Sequence, residues 1–178
     1  ISWLDLHGKP HVAMMSFSVP VASENIVESK SLKLYLNSFN NSKFESANSV
    51  INIINDDLGN LLGCKINVQM FLLNKNKNYT LHYFAGHNID TMYLTNVDYY
   101  NYNPALLLID ENSNIITEVV HSNLLRTNCP VTNQPDFASL QISYTGRKIL
   151  HESLLRYIIS FRNHNGFHEN CIQTIFDD

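Results

Sequence analysis

Charge is scarce in this 178-residue sequence: Asp, Glu, Lys and Arg together make up 16%, against roughly 25% in ordinary soluble domains. Sixteen acidic and twelve basic residues leave a formal net charge of -4. That excludes a broad basic surface for nucleic acid or an anionic membrane. No apolar run approaches the ~18 residues that would span a bilayer. Cysteine is limited to Cys64, Cys129 and Cys171. An odd count at wide spacing does not make a disulfide framework and suits a reducing, cytoplasmic compartment. No secretory leader is visible, and the sequence opens at Ile1 rather than Met, which leaves room for residues before it. What takes the place of charge is asparagine, 24 residues of it, while the 44% hydrophobic content is enough for a packed core. The length fits one domain or two small ones.

Periodicity divides the chain into elements. Residues 11–19 read as a strand. Residues 29–41 read as a helix, with Leu32, Tyr35, Leu36 and Phe39 at helical spacing and Ser29 near the cap. A second helix starts near Ser46, aligns Val50, Ile54, Leu58 and Leu61, and meets a C-cap at Gly63. Residues 65–72 alternate as a strand, with 79–85 as the expected hairpin partner. The stretch 86–120 is irregular and rich in Asn, Asp and Tyr, and reads as a linker or insertion carrying one or two strands. The pattern then restarts: a strand at 137–145, a helix at 152–163, and another from about 168. Tyr35-x-x-Ser38-Phe39 is echoed by Tyr157-x-x-Ser160-Phe161, and Phe44 by Phe167, so the two halves read as copies of one unit. The expected division is a first module over 1–87, a linker or insertion over 88–120, and a second, shorter module over 121–178.

Three segments can carry chemistry. Cys129 lies in Asn128-Cys129-Pro130-Val131-Thr132-Asn133-Gln134-Pro135-Asp136, a proline-bounded loop before a strand. There it is either a presented nucleophile, with Asp136 as proton donor or acceptor, or a packing thiol beside a turn-forming Asp. Phe167-His168-Glu169 lies between two helices. A His beside a Glu can hold the polar edge of a heterocycle, or it can simply be a solvated helix start. His168 and Cys171 with Cys129 could also suggest zinc, but paired metal-ligand motifs are lacking. Glu28-Ser29-Lys30-Ser31-Leu32-Lys33 opens a helix; Lys30, Ser29 and free backbone N–H groups there suit a phosphate, or Lys30 and Lys33 share an ordinary solvated face. The six glycines form no GxGxxG, so a nicotinamide cofactor would bind outside a Rossmann fold.

Together, Glu28-Ser29-Lys30-Ser31-Leu32-Lys33-Leu34-Tyr35-Leu36-Asn37-Ser38-Phe39-Asn40, the Cys129–Asp136 segment, and Ser160-Phe161-Arg162-Asn163-His164-Asn165 with Phe167-His168-Glu169 resemble the NADPH-dependent 7-cyano-7-deazaguanine reductases, the nitrile reductases of queuosine biosynthesis. Their order resembles that family's long, two-module form. The resemblance implies an α+β tunnelling fold used twice, an antiparallel sheet with two helices on one face, with the second module incomplete in these residues. It implies reduction of a nitrile to a primary amine at the expense of two NADPH. Cys129 would form a covalent thioimide and Asp136 would protonate the nitrogen. His168 and Glu169 would anchor the deazaguanine edge, Val27, Glu28 and Ser29 would add substrate contacts, and Ser29 and Lys30 would contact NADPH, with no metal. A site shared between modules, within one chain or across a homodimer, is implied, as is a cytoplasmic enzyme with no nucleic-acid or membrane partner. Gly166 stands where the family usually has an acidic residue, and Phe137 where the long form commonly has Trp. The family's C-terminal strands, with an Arg-Gly pair that contacts NADPH, lie outside these residues. The rival readings are a purine- or pterin-binding module without reductase activity and a zinc-dependent enzyme of the same fold acting on a pterin or GTP.

Overall fold

The computed structural model describes residues 1–72 and 82–178. It divides into two compact units, Ile1–Leu81 and His82–Asp178, each a mixture of antiparallel strands and helices. In the first unit, β1 (Ser2–Leu4), β2 (Pro10–Ser18) and β3 (Asn67–Leu72) form an antiparallel sheet in that order. Between β2 and β3 run α1 (Ser29–Asn37) and α2 (Ala47–Leu62). The α2 boundaries follow from its ends. The Ser46 hydroxyl accepts from the Ser49 N–H at 3.2 Å, an N-cap that satisfies one orphan donor of the first turn. Gly63 closes the helix at φ 66°, a left-handed conformation that glycine adopts without Cβ strain.

Val50, Ile54, Leu58 and Leu62 recur every four residues on α2, and all are buried, while Leu61, expected on this face, is exposed because the row from Leu58 continues at Leu62. They pack with Trp3, Ala13, Phe39, Ile66 and Val68 in one core. The expected helix over 29–41 ends at Asn37, and the chain turns so that Phe39 stacks on Phe44 with ring centroids 5.5 Å apart. Residues 79–81 of the expected hairpin partner of β3 lie outside the described residues, and 82–86 hold no strand.

The second unit pairs β5 (Ile116–Asn128) with β6 (Pro135–Gly146) in antiparallel register, and β4 (His87–Asn88) lies parallel to β5. Then come α3 (His151–Ser160), a 3-10 turn over Phe161–Asn163, and α4 (His168–Asp177). The one or two strands expected within 86–120 correspond to β4 and the start of β5, but β5 runs on to Asn128, past that stretch. A bulge between Ser122 and Leu125 breaks its alternation, and period-2 patterning is the signal by which a half-buried strand is seen. Asp90 supports the bulge, accepting from the Ser122 hydroxyl at 2.6 Å and the Asn123 N–H at 2.8 Å. Residues 88–120 help build this unit's core: Ile89 is fully buried, and Met92, Leu94, Tyr102, Leu106 and Leu107 pack against Leu154, Leu155, Tyr157, Ile158 and Phe161.

Two strands followed by two helices occur in each unit, and the echoed tyrosines act alike. Tyr35 of α1 donates to Asp57 of α2 at 2.6 Å, and Tyr157 of α3 donates to Asp178, just past α4, at 2.5 Å. Burial pushes both phenols well above their ordinary range, and the neighbouring carboxylates add to it.

Gly86 has φ 95°, and an added Cβ would run into the Val119 carbonyl. A Gly86→Ala variant is expected to lose about 2–4 kcal/mol of stability, combining left-handed strain with a backbone clash. Chemical denaturation with unchanged m-value and a lower midpoint would show it; a midpoint equal to wild type would show that this approach relaxes freely.

Candidate functional site

Strand β5 delivers Cys129 to a loop held at both its peptide groups. The Cys129 N–H donates to the Gln134 carbonyl, and its own carbonyl accepts from the Asn133 N–H, each at 2.8 Å. Asn133 takes φ 54° to close the turn, a conformation its short amide side chain tolerates. Pro135 can open β6 because a first strand position needs no ladder donor. The Cys129 side chain is buried, with 1% exposed.

The same strand end is stitched to the segment before α4. Asn128 donates its N–H to the His164 carbonyl at 2.8 Å and accepts from the Gly166 N–H at 3.1 Å. Arg126 spans this junction, one guanidinium nitrogen donating to the Arg162 carbonyl at 2.8 Å and the other to the Asn128 side-chain oxygen at 3.2 Å. The Cys129 loop and Phe167-His168-Glu169 are thereby brought to one end of the second unit. Gly166 fits this junction because it lacks a Cβ, which would lie 2.9 Å from His164 Nε2. An acidic residue here would require His164 to move.

Asp136 sits directly across from Thr127 in the β5–β6 register. Strand alternation puts Leu125, Thr127, Asp136, Ala138 and Leu140 on the face toward the helices, and Phe137 on the other, where 72% of it is exposed. Two polar atoms at this end are buried without a hydrogen-bond partner: His168 Nε2 and Thr127 Oγ1. A buried polar group left unpaired costs about 1–3 kcal/mol, so such atoms mark places where a ligand can supply the missing bond. Glu169 is exposed in the first turn of α4, where the helix dipole favours a carboxylate.

The other cysteines are packing residues. Cys171 is fully buried, and burial raises its thiol above the ordinary range. Cys64 is half-buried at the end of α2, its sulfur 3.6 Å from the Ser23 hydroxyl. Among the described residues, no group of three or more His, Cys, Asp or Glu side chains converges as a metal site.

The remaining candidates belong to the first unit. Glu28 is the N-cap of α1, in place of the Ser29 cap region expected from sequence. One of its carboxylate oxygens accepts from the Lys30 N–H at 2.9 Å, and the other from the Ser31 N–H at 2.7 Å and the Ser31 hydroxyl at 2.8 Å. The reading of free backbone N–H groups for a phosphate is therefore corrected at these two amides: Glu28 already uses them. A cofactor phosphate at this helix start would instead meet side chains, the Lys30 ammonium and the exposed Ser29 hydroxyl. Cation plus hydroxyl is a donor set that fits a phosphate. Lys30 Nζ is 4.0 Å from Glu28, so it is held over the helix start. Val27 packs against the first unit's core.

Thr127 and Arg126 escaped the sequence reading. Thr127 had a usable signal, since Leu125-x-Thr127-x-Cys129 is a period-2 run that leads to the loop cysteine. Arg126 had none, because its carbonyl partner lies 36 residues away.

Comparison with known proteins gives matches along the whole chain. Residues 1–70 match the family model described as "Nitrile reductase, 7-cyano-7-deazaguanine-reductase N-term", and residues 135–178 match the model described as "QueF-like protein". The chain is 46% identical over 178 residues to the NADPH-dependent 7-cyano-7-deazaguanine reductase of Buchnera aphidicola subsp. Schizaphis graminum, covering 100% of this chain and 68% of that protein. It is likewise 46% identical to the proteins of the same name from Burkholderia multivorans and Burkholderia orbicola, over 178 and 180 residues, covering 100% of this chain and 65% of each relative. The chain thus spans about two thirds of the length of these relatives, and the alignments run through the Cys129 loop.

Proposed function

The chain belongs to the family of NADPH-dependent 7-cyano-7-deazaguanine reductases, and from that membership we propose that the protein reduces the nitrile of 7-cyano-7-deazaguanine to the primary amine, 7-aminomethyl-7-deazaguanine, in queuosine biosynthesis. The observation that carries the reading to particular residues is the buried, unpartnered His168 Nε2. It lies two residues past the Gly166 that is hydrogen-bonded to Asn128, the neighbour of Cys129.

The Cys129 sulfur attacks the nitrile carbon. A sulfur–carbon bond forms, one carbon–nitrogen π bond breaks, and its electron pair goes to nitrogen. Asp136 gives that nitrogen a proton and regains one from the thiol, so the product is a neutral thioimide. The covalent step turns one hard reduction into easier ones. NADPH, when bound, supplies the two hydrides that bring the carbon to the amine level, and Ser29 and Lys30 are the residues here that would hold it. Once that carbon is reduced, the Cys129 sulfur would leave with its bonding electrons and recover a proton from the nitrogen by way of Asp136, restoring the thiol. Glu169 can accept two N–H bonds from a guanine-like edge while His168 bonds another polar atom. Val27, Glu28 and Ser29 are further proposed substrate contacts.

The proposed architecture is two tunnelling-fold modules, 1–87 and 121–178, with 88–120 as a connection that packs into the core of the second, acting as a cytoplasmic homodimer without nucleic-acid or membrane partners. The repeated strand-strand-helix-helix order supports the modules, and the acidic net charge supports the absence of nucleic acid. No helix among the described residues is long and apolar enough to cross a membrane.

A His168→Phe variant keeps an aromatic ring and removes the nitrogen. It is expected to bind 7-cyano-7-deazaguanine about 10–100-fold more weakly, the worth of a buried hydrogen bond, without loss of thermal stability. Calorimetric titration checks this, and unchanged affinity would remove His168 from the substrate site. The activity itself is tested with the full-length protein by following NADPH absorbance against limiting nitrile. About two NADPH consumed per nitrile is the stoichiometry of a four-electron reduction at two electrons per cofactor. Ligand binding without any NADPH oxidation would leave a purine-binding module instead.

A further inference from the structure

We infer that Thr127 is a catalytic residue of this site, its hydroxyl hydrogen-bonding to the substrate nitrogen while Cys129 adds to the nitrile carbon; the inference rests on the nitrile-reductase reading above. Thr127 is fully buried, and its Oγ1 has no hydrogen-bond partner in the folded chain. Its place on the strand says what would complete it. It lies two residues before Cys129 on β5 and directly opposite Asp136 on β6. Side chains directly opposite in an antiparallel pair have Cβ atoms about 4.5–5.5 Å apart. A nitrogen that receives its proton from Asp136 is therefore within reach of the Thr127 hydroxyl.

A hydroxyl suits this task because it can both donate and accept. During addition the nitrogen gains an electron pair, and Thr127 donates to it. Once Asp136 has protonated the nitrogen, Thr127 rotates its own proton away and accepts the new N–H. No further oxidant, reductant or proton is needed, since the atoms are those of the thiol adding across one carbon–nitrogen π bond. A purely structural threonine on this strand would bond a neighbouring carbonyl. One with an unsatisfied, solvent-excluded oxygen keeps a cost that only a bound partner removes.

The test compares Thr127→Val, which keeps the β-branched shape without the hydroxyl, with Thr127→Ser, which keeps the hydroxyl. Full-length protein is mixed with 7-cyano-7-deazaguanine in the absence of NADPH, and adduct formation is timed by intact mass. Thr127→Val is expected to form the adduct about 10–100-fold more slowly, below the 10²–10³ typical of a lost oxyanion donor because Asp136 still acts. Thr127→Ser is expected within about 5-fold of wild type. The same Val variant, free of ligand, is expected to melt about 2–4 °C higher, because an apolar group replaces an unpaired one. A Val variant that forms adduct at the wild-type rate would overturn the role of Thr127 while leaving the reductase reading intact. A wild-type protein that forms no adduct would overturn both. If Thr127→Val fails to fold, Thr127→Ala replaces it, and an Ala variant as fast as the Ser variant overturns the role equally.

Discussion

Replacing Cys129 by Ala should lower turnover of 7-cyano-7-deazaguanine by about 10⁴-fold or more, the scale seen when a covalent nucleophile is removed. The loss should fall on kcat, with substrate affinity within a few-fold of wild type, because Ala deletes one atom and the loop is held by its backbone. The Cys129 N–H and carbonyl bond Gln134 and Asn133, and Asn128 is tied to His164 and Gly166. None of these bonds involves the sulfur, so the loop should keep its shape. Isothermal titration and steady-state kinetics on the same preparation separate the two quantities. A variant with kcat within 10-fold of wild type would exclude covalent catalysis at this residue.

The second large effect is expected at Asp136. Asp136→Asn keeps the size and some hydrogen bonding of the side chain but has no proton to deliver. General acid catalysis is worth about 10²–10⁴ in rate, and thioimide formation should slow by that much. Substrate affinity should change by less than about 3-fold, since the role proposed for Asp136 is at the reacting nitrogen and not at the heterocycle edge proposed for His168 and Glu169. Pre-steady-state adduct formation is the proper measurement, because turnover also contains later steps. Equal rates in the variant and wild type would leave another group as the proton donor.

How much of this could be read from residues alone depended on how local each signal was. The second helix was legible at its caps, Ser46 and Gly63, and along Val50, Ile54 and Leu58, but not in its last turn, where Leu61 is exposed and Leu62 takes the buried place. Strands at 65–72 and 137–145 were legible from their alternation, and the one at 11–19 was legible although Val12 to Met15 are apolar in succession; β3, β6 and β2 lie there. Strand β5 was legible only where it begins, inside the stretch expected to carry one or two strands, because its bulge shifts the pattern and the support for that bulge comes from Asp90, some 30 residues away. For the same reason the Asn- and Tyr-rich stretch from 88 looked like a connection: its packing partners, Leu154 to Phe161, lie far along the chain.

Around the candidate site, the loop that carries Cys129 and the strand that carries Asp136 were legible from the two prolines and the alternation that follows them. That Cys129 and His168 come to one end of a single unit was not, since the link is a backbone bond pair between Asn128 and residues 164–166. The phosphate reading of the α1 start failed at two amides for a local reason. Glu28 has the length to reach forward to the Lys30 and Ser31 amides, and it does so in place of the shorter Ser29.

Covalent catalysis requires that Cys129 become bonded to the nitrile carbon. Full-length protein incubated with 7-cyano-7-deazaguanine, without NADPH, and analysed by intact mass followed by peptide mapping tests it most directly. The expected result is a mass increase equal to one whole substrate molecule, located on the peptide carrying Cys129 and absent from Cys129→Ala. A folded protein that binds the substrate yet gains no mass, or gains it at another residue, would contradict it.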